Sequence, residues 1–224
     1  MKIIKQSWSF EDEIDGQAIL QKLERAGRTC YKSEDKITCD SAQKFVSVIK
    51  SKNHESVIEH ASVSVRIITD RGVTHEIVRH RLASYSQEST RYCNYSKDKF
   101  GNEITVICPV EFIPVWDTTL DAAIAYPNPK LVAQFLGWIA AMEAAQAEYF
   151  GMISNGATPQ LARSVLPNSL KTEIVMTANL REWRHFFKMR ASSGAHPQLR
   201  TLAYDMLKGF KEKIPLIFDD LGSE

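Results

Sequence analysis

The sequence predicts an α+β protein, a single domain over residues 1–224 with a central antiparallel or mixed sheet flanked by long helices. Strand-like alternation of apolar side chains occurs mainly before residue 116, whereas helical periodicity dominates after residue 128. With 224 residues, 44% of them hydrophobic, the chain can bury a substantial core, and this length favours one domain.

The first clear element is a strand. Residues 62–69 alternate apolar and polar side chains, which places Val63, Val65 and Ile67 on one buried face. The run Asp70-Arg71-Gly72 is typical of a break and ends the strand.

A short helix is predicted next, over residues 73–81, on which Glu76 and His80 pair at a spacing of four. Two positions on a helix differ by about 200° of rotation. Arg79 and Arg81 would therefore point apart and contact different ligands or different subunits.

The following stretch changes character twice. Residues 84–102 are polar and aperiodic, as is typical of a binding loop. Residues 104–115 return to strand-like apolar content. Pro109 and Pro114 favour an edge strand there, because proline cannot donate to a sheet ladder.

Two helices are predicted from their capping residues. Asn128 as cap and Pro129 in the first turn begin a long helix. Thr158 and Pro159 begin a short one, which Pro167 ends. The long helix carries an apolar stripe that predicts a core face or an oligomer seam: Leu131, Phe135, Trp138, Met142, Ala145 and Tyr149.

Near the C-terminus, residues 174–177 predict a strand that leads into a helix over 180–191. Asn179 and Glu182 are spaced as an asparagine version of the capping box at its start. The final amphipathic segment, residues 199–210, predicts a packing helix.

Composition excludes several classes of partner. The net charge of +1 and the pI of about 7.7 provide no broad basic surface for nucleic acid. Residues 1–15 lack the apolar core of a secretory signal, and no apolar run approaches the ~20 residues that cross a bilayer. We therefore expect a cytoplasmic protein with neither membrane nor nucleic acid as a partner.

The cysteines and histidines do not predict a metal site. Cysteines 30, 39, 93 and 108 have neither zinc-finger spacing nor the pattern of a disulfide framework. His54 and His60 are six residues apart, which is about 240° around a helix. We expect free thiols and no bound metal.

The most polar segment is residues 79–92, which contains three arginines, a histidine and several hydroxyl and amide side chains. The planar, five-donor guanidinium suits phosphates and carboxylates, and the hydroxyl and amide groups can complete a shell around the same ligand. This segment predicts a binding site for a polyanionic ligand.

The order of residues in this segment resembles a known family. Arg79-His80-Arg81, then seven residues, then Ser89, followed by Arg91-Tyr92, resembles the motif of flavin-dependent thymidylate synthases. A second block resembles the same family: residues 162–167, Thr172, Asn179-Leu180-Arg181, His185 and Arg190. A weaker third match comprises His54-Glu55-Ser56 and Glu59-His60. The resemblance covers roughly residues 28–200.

The resemblance implies an activity and an assembly. It implies a homotetramer whose four active sites lie at subunit junctions, each holding FAD with dUMP stacked against the flavin ring. NADPH would reduce the flavin and methylenetetrahydrofolate would supply the carbon. The reduced flavin would deliver the hydride that completes the methyl group of dTMP, without a covalent enzyme nucleophile.

The resemblance also implies site residues. Arg190 is the expected catalytic residue, because a guanidinium aimed at the N3 and carbonyl region of uracil stabilises the charge that develops when C5 is activated. The phosphate of dUMP is expected at Ser89, Arg91 and Arg163. The full substrate set is Glu76, Arg79, Gln87, Glu88, Ser89, Arg91, Arg163 and Arg190. The FAD set is Ser56, Arg79, His80, Arg81, Gln87, Asn179, Arg181 and His185.

Some assignments are open at this point. Glu76 stands where some relatives have glutamine, and Ser86-Gln87 stands where others have Asn-Glu. A carboxylate repels a phosphate, so Glu76 is expected to meet the sugar or base of dUMP, or to pair with His80. Ser56 is equally compatible with a helix cap.

Other functions are also compatible with the sequence. Arginines interleaved with Tyr85, Tyr92 and Tyr95 would suit a single-stranded nucleic-acid-binding protein, although the near-neutral charge argues against it. A relative that binds flavin and nucleotide but has lost methyl transfer is another alternative. Cys93 is the nearest thiol to the motif, and no neighbour in sequence activates it as a nucleophile.

Overall fold

A computed structural model of the chain describes residues 1–118 and 126–222, and its architecture is α+β as predicted. The strands are β1 (Lys2–Ile4), β2 (Ser7–Phe10), β3 (Ser62–Asp70), β4 (Ala83–Gln87), β5 (Thr105–Ile107) and β6 (Lys171–Asn179). The α-helices are α1 (Gly16–Tyr31), α2 (Ser41–Ser51), α3 (Arg71–Ile77), α4 (Ile113–Trp116), α5 (Pro129–Ser154), α6 (Pro159–Ala162), α7 (Leu180–Arg190), α8 (Pro197–Lys213) and α9 (Pro215–Phe218). Short 3-10 helices cover Glu34–Lys36, Glu55–His60, Asp98–Phe100, Val110–Phe112 and Arg163–Val165.

The strands form two sheets. β1 and β5 pair in parallel, with Ile3 opposite Val106. The larger sheet is antiparallel and has the strand order β2-β3-β6-β4. The predicted strand at residues 62–69 is confirmed as β3. Its side chains alternate between buried and partly exposed because successive residues of a strand point to opposite faces, and β6 shows the same alternation.

The chain forms two compact units, each assembled from separate stretches of sequence. The first unit comprises Met1–Ser7, Ile68–Ile77 and Gln87–Ile174. The second comprises Trp8–Ile67, Val78–Ser86 and Val175–Glu224. The single domain over residues 1–224 stays a prediction.

The core of the first unit is built on α5. The side chain of Asn128 accepts the backbone N–H of Leu131 at 3.1 Å, so the predicted cap is confirmed. The predicted apolar stripe is confirmed as a packing face, because Met142 and Tyr149 are buried and its other members are partly buried. The buried residues around them are Tyr95, Ile104, Val106, Ala162 and Leu170.

The core of the second unit is an aromatic cluster on the last helices. Trp183 of α7 lies 5.0 Å from Phe210 of α8 between ring centroids, and Phe210 lies 5.0 Å from Phe218 of α9. Contacts of this kind contribute about 0.5–1.5 kcal/mol each beyond the burial of area. The indole nitrogen of Trp183 also donates to the carbonyl of Val63 at 3.0 Å, which ties α7 to β3.

Two segments differ from the sequence-based predictions. Residues 84–102, predicted as a loop, begin within strand β4. Residues 104–115, predicted as strand-like, form a strand only over Thr105–Ile107 and then turn into the Val110–Phe112 helix and α4. Pro114 lies in the first turn of α4 rather than at a sheet edge, because its fixed φ angle suits a helix start.

Helix α3 ends at Ile77, earlier than predicted. Arg79 and Arg81 lie beyond it, so the helical rotation of about 200° does not apply to them. The predicted pairing of Glu76 with His80 on one helical face is wrong for the same reason, and the His80 ring pairs with Glu182 instead.

A cluster of charged side chains binds the C-terminal end of the second unit to α7 and α2. The buried Arg184 donates from Nη1 to Asp220 Oδ1 at 2.8 Å and from Nη2 to Oδ2 at 2.7 Å. Lys50 lies 2.6 Å from the same carboxylate. The hydrogen bonds from Arg184, and then from Lys50, hold the pKa of the Asp220 carboxyl well below its usual range.

Replacing Asp220 by Asn is expected to lower the free energy of unfolding at about pH 7 by roughly 1 kcal/mol, a modest value because the carboxylate is half exposed. A carboxyl whose pKa is depressed in the folded state stabilises above its unfolded-state pKa and loses that contribution as the pH falls. Urea unfolding should therefore show a smaller decrease between about pH 7 and pH 3 in Asp220→Asn than in the unmodified protein. Asp219→Asn, which changes the exposed neighbouring carboxylate, is the control, and an unchanged pH dependence in Asp220→Asn would contradict the assignment.

Candidate active site

His80 follows α3 and precedes β4 in the chain, and it is buried, with 4% of its surface exposed. Its Nδ1 lies 3.0 Å from Glu182 Oε1, and Arg190 donates from Nε to its Nε2 at 3.1 Å. The hydroxyl of Tyr85 donates to the His80 carbonyl at 2.7 Å. These contacts fix both the ring and its backbone.

The two contacts of the ring determine where its proton lies. The Nε of Arg190 always carries a hydrogen, so His80 Nε2 must be the acceptor. The single proton of the neutral ring is then on Nδ1 and is donated to the carboxylate of Glu182. We refer to these three residues, Glu182, His80 and Arg190, as the anchoring chain.

The surroundings of His80 favour this neutral form. Burial lowers the pKa of His80 below its usual 6.5, and the nearby charges of Arg190 and His185 lower it further. The hydrogen bond to Glu182 acts in the opposite direction but is the smaller effect. His80 is therefore neutral at neutral pH, as its role as an acceptor requires.

The junction between β6 and α7 positions the anchoring chain. Asn179 ends β6 and its side chain accepts the backbone N–H of Glu182 at 2.9 Å, so the predicted cap of α7 is confirmed. Glu182 directs Oε1 to His80 instead of completing a capping box. The eight positions from Glu182 to Arg190 leave them about 80° apart around the helix, so both reach the same ring.

A cavity of about 720 Å³ opens beside α7. This volume lies within the range of small-molecule and cofactor sites. Arg181 projects into it and contacts Glu59 at 2.6 Å and Glu55 at 3.3 Å. Ion pairs this exposed contribute little, so an anionic ligand can replace the carboxylates. The cavity is lined by Glu55, Glu59, Leu82, Asn179, Arg181, Glu182, Arg184, His185 and Lys188.

The first unit contains a separate group of cationic and hydroxyl side chains. Arg163 donates from Nη1 to Thr90 Oγ1 at 3.3 Å, and Arg91 donates from Nε to Gln160 Oε1 at 3.0 Å. The backbone N–H of Arg91 also donates to Ser89 Oγ at 3.3 Å. Two exposed guanidinium groups and a hydroxyl thus lie around one turn, an arrangement that suits a phosphate.

Gln87 has an amide whose orientation is fixed. The hydroxyl of Thr74 donates to the carbonyl of Arg71 at 2.9 Å, so towards Gln87 it can act only as an acceptor. The Gln87 atom 3.0 Å away must therefore be the amide nitrogen, which also lies 3.2 Å from Thr172 Oγ1. With both N–H groups directed to buried threonines, the amide of Gln87 has only its carbonyl oxygen left to offer to a ligand.

Glu88 and Cys93 lie near Gln87 and Ser89 in the chain. The carboxylate of Glu88 accepts the Tyr95 hydroxyl at 3.2 Å on one oxygen and pairs with Lys171 at 2.9 Å on the other. Burial, and then the negative charge of Glu88, raise the pKa of the Cys93 thiol. Cys93 is therefore protonated at neutral pH and is a weak nucleophile.

Comparison with known proteins decides the family. Residues 17–216 match the family model described as thymidylate synthase complementing protein. The chain is 33% identical over 204 residues to the flavin-dependent thymidylate synthase of Geobacter sulfurreducens, covering 88% of this chain and 79% of the relative. It is 36% identical over 217 residues to that of Mycobacterium avium and 37% identical over 217 residues to that of Mycolicibacterium vanbaalenii, covering 95% of this chain and 82% of each relative. This chain belongs to the flavin-dependent thymidylate synthase family.

The predicted residues of the flavin-dependent thymidylate synthase site separate into two groups. Asn179, Arg181 and His185, from the predicted FAD set, line the cavity together, and His80 is bonded to its Glu182. The second unit holds Ser56, Arg79, His80, Arg81, Asn179, Arg181, His185 and Arg190. The first unit holds Glu76, Gln87, Glu88, Ser89, Arg91 and Arg163.

The structure also constrains two individual assignments. Ser56 is exposed in the Glu55–His60 helix, whose N-cap is His54, so the alternative role of Ser56 as a helix cap is wrong. Both ring nitrogens of His80 are engaged by Glu182 and Arg190, and its contact with FAD stays a prediction.

Sequence reasoning missed several residues that position the predicted site residues. The sequence pattern indicates Glu182 only as part of a capping box, because its partner His80 lies 102 residues away in the chain. Thr74 and Thr172 are buried hydroxyls whose common contact with Gln87 has no local pattern.

Three of these side chains also resemble a metal-ligand set. His80, Glu182 and His185 place ligand atoms within 4.8 Å of one another. The guanidinium of Arg190 on His80 would repel a cation, and the hydrogen bonds of the anchoring chain account for the arrangement without one. The absence of a metal requirement stays a prediction.

His80 is expected to carry its proton on Nδ1, with Nε2 unprotonated, from about pH 7 to 8, because its pKa is lowered below 6.5. Nitrogen chemical shifts of ¹⁵N-histidine-labelled protein report the tautomer directly. Arg190→Ala removes a positive charge and should raise the pKa of His80, whereas Glu182→Gln removes a negative charge and should lower it further. A proton on Nε2, or an imidazolium at about pH 7, would contradict the anchoring chain.

Proposed function

We propose that this chain converts dUMP to dTMP, with methylenetetrahydrofolate as carbon donor and NADPH-reduced FAD as hydride donor, and with no covalent enzyme nucleophile. In the balanced reaction dUMP, methylenetetrahydrofolate, NADPH and a proton give dTMP, tetrahydrofolate and NADP⁺. The observation that supports this most is the anchoring of Arg190 on the buried ring of His80, in a chain that matches the family over residues 17–216.

Arg190 is the proposed catalytic residue. Bond formation at C5 of uracil pushes negative charge onto N3 and its neighbouring carbonyl groups, and a guanidinium held in place stabilises that charge without having to reorganise. Its Nε is bound to His80, so its orientation is set before the substrate arrives.

The proposed phosphate site for dUMP is the group formed by Ser89, Arg91 and Arg163. A phosphate dianion prefers guanidinium forks and a hydroxyl donor, and their contacts with Thr90 and Gln160 hold both guanidiniums near Ser89. The remaining proposed contacts with dUMP are made by Glu76, Arg79, Gln87, Glu88 and Arg190.

The proposed FAD site is the cavity beside α7. FAD, when bound, supplies a carrier that accepts hydride from NADPH and passes it to the carbon received from the folate. The Oδ1 of Asn179 caps α7, which leaves its amide nitrogen as the donor towards the cofactor. Arg181 suits the FAD pyrophosphate because its two carboxylate partners are at least partly exposed and can be replaced by that anion. The other proposed contacts are Ser56, Arg79, His80, Arg81, Gln87 and His185.

The protonated thiol of Cys93 supports a mechanism without an enzyme nucleophile. A cysteine-dependent thymidylate synthase needs a thiolate, whereas burial and the charge of Glu88 keep Cys93 in its thiol form. Hydride delivery by the flavin is consistent with this environment.

We also propose a cytoplasmic homotetramer of one-domain subunits with active sites at their junctions. α5 has an exposed face of apolar and small side chains, which is typical of a helix that packs against another subunit: Ala133, Leu136, Gly137, Ala140, Ala144 and Ala147. Within residues 1–118 and 126–222, no helix is both long and apolar enough to span a membrane.

The purified protein is expected to bind FAD and to release the C5 hydrogen of dUMP only when NADPH and methylenetetrahydrofolate are both present. Tritium release from 5-tritiated dUMP measures this step, and flavin absorbance measures cofactor binding. Arg190→Ala should reduce turnover by about 100-fold or more, because it removes the charge that the transition state requires.

Arg25→Ala, at an exposed position on α1, is the matched control and should keep full turnover. Failure to bind FAD, or flavin and dUMP binding without C5 hydrogen release, would rule out the proposed reaction. Near-normal turnover of Arg190→Ala would remove Arg190 from its catalytic role.

Thr74→Val is expected to weaken dUMP binding about five-fold, the equivalent of one hydrogen bond of about 1 kcal/mol, because it releases the amide of Gln87. Thr69→Val is the matched control, because Thr69 is an equally buried hydroxyl that bonds to Gln6 instead. Equal dUMP affinity in the two variants, measured by calorimetry, would show that the Gln87 amide does not contact the nucleotide.

A further inference from the structure

Glu182 is a buried carboxylate that has no direct part in the reaction proposed above. Only 6% of its surface is exposed, and its Oε1 lies against the ring of His80. A buried carboxylate carries a desolvation cost unless it is hydrogen-bonded, and an apolar side chain would fill the same space without that cost. The position therefore calls for an explanation beyond packing.

We propose that Glu182 and His80 are positioning residues for the reaction, and that Glu182 sets the tautomer with which His80 holds Arg190 in its catalytic orientation. This inference rests on the proposed function, because it assigns the effect of Glu182 to Arg190. Neither residue needs to touch dUMP for the mechanism to operate.

The contact between Arg190 and His80 depends on which nitrogen carries the proton. His80 can accept from Arg190 Nε only while Nε2 has no proton, and the neutral ring then needs an acceptor for the proton on Nδ1. Glu182 is that acceptor. Without it the proton can move to Nε2, where it would face the N–H of Arg190 donor to donor. The guanidinium would then leave the ring and lose its fixed direction.

Protonation of His80 would break the same contact. An imidazolium has donors on both nitrogens and a positive charge beside Arg190. Among the residues that the structure describes, the charged or titratable groups that face the ring are Glu182, His185 and Arg190, all from α7. The other neighbours are the ring of Phe186, 5.0 Å away between centroids, and the hydroxyl of Tyr85 from β4, which contacts the His80 carbonyl. Turnover should therefore decline on the acid side as His80 gains a proton.

Two variants of Glu182 test the proposal in the flavin-loaded enzyme. Glu182→Gln keeps an oxygen that can accept the Nδ1 proton but removes the charge. We expect a kcat within about ten-fold of the unmodified enzyme and an acid limb of the kcat profile displaced to lower pH, because the negative charge that raises the pKa of His80 is gone. Glu182→Leu removes the acceptor, and we expect kcat to fall about 100-fold, comparable with the loss of an aligned transition-state donor.

The expected pattern separates positioning from simple destabilisation. In both variants kcat should change more than the KM for dUMP, because the proposed contacts with the dUMP phosphate do not involve Glu182. The double variant Glu182→Leu with Arg190→Ala should be no slower than Arg190→Ala alone, since Glu182 acts only through Arg190. Glu24→Gln is the matched control, because Glu24 is an equally buried carboxylate that bonds to Arg28 and Ser41 and should leave kcat and its pH profile unchanged.

The failure of this inference can be distinguished from the failure of the proposed function. If the unmodified enzyme does not release the C5 hydrogen of dUMP, the proposed function is wrong and this inference with it. If the enzyme is active and Arg190→Ala is not, but Glu182→Leu matches Glu24→Gln, the function stands and the positioning role is overturned. If Glu182→Leu does not fold, an unmoved acid limb in Glu182→Gln also overturns it.

Discussion

The site of the second unit depends on one imidazole ring that makes two hydrogen bonds of opposite polarity. Nδ1 of His80 donates to Glu182 and Nε2 accepts from Arg190. Burial keeps the ring neutral, which is the only state in which both bonds can exist. A carboxylate and a guanidinium are thereby held at fixed positions through a group that carries no charge, and the direction of Arg190 follows from the protonation of His80.

The fold makes this arrangement rigid through α7. One side of the helix presents Glu182 and Arg190 to His80, while Trp183 and Phe187 pack into the aromatic core with α8 and α9. The indole of Trp183 is bonded to β3, and Asn179 caps the first turn. A rotation or shift of α7 would therefore disturb the core and the anchoring chain together, so core packing supplies the precision that the site needs.

The first unit uses the same device with an amide. The hydroxyl of Thr74 donates its proton to the carbonyl of Arg71, so it can only accept from the amide nitrogen of Gln87. This contact fixes the orientation of the Gln87 amide. His80 and Gln87 can each both donate and accept hydrogen bonds. Each is oriented by a neighbour, Arg190 or Thr74, that can act only as a donor or only as an acceptor towards it. Each group therefore presents a donor or an acceptor whose orientation is fixed.

Local patterns in the sequence determined the α+β class, the strand at residues 62–69, the caps Asn128 and Asn179, the packing stripe of α5 and the family. Each of these depends on residues that lie within a few positions of one another or within a motif. Sequence reasoning extended α3 past Ile77 and missed β4 because their ends are set by contacts outside the segment. The arginine-rich segment predicted an anion site but not its internal organisation. Only the tertiary structure decided that His80 joins Glu182 to Arg190, since these partners lie 102 and 110 residues away and a hydrogen bond across such a separation leaves no period or spacing in the chain.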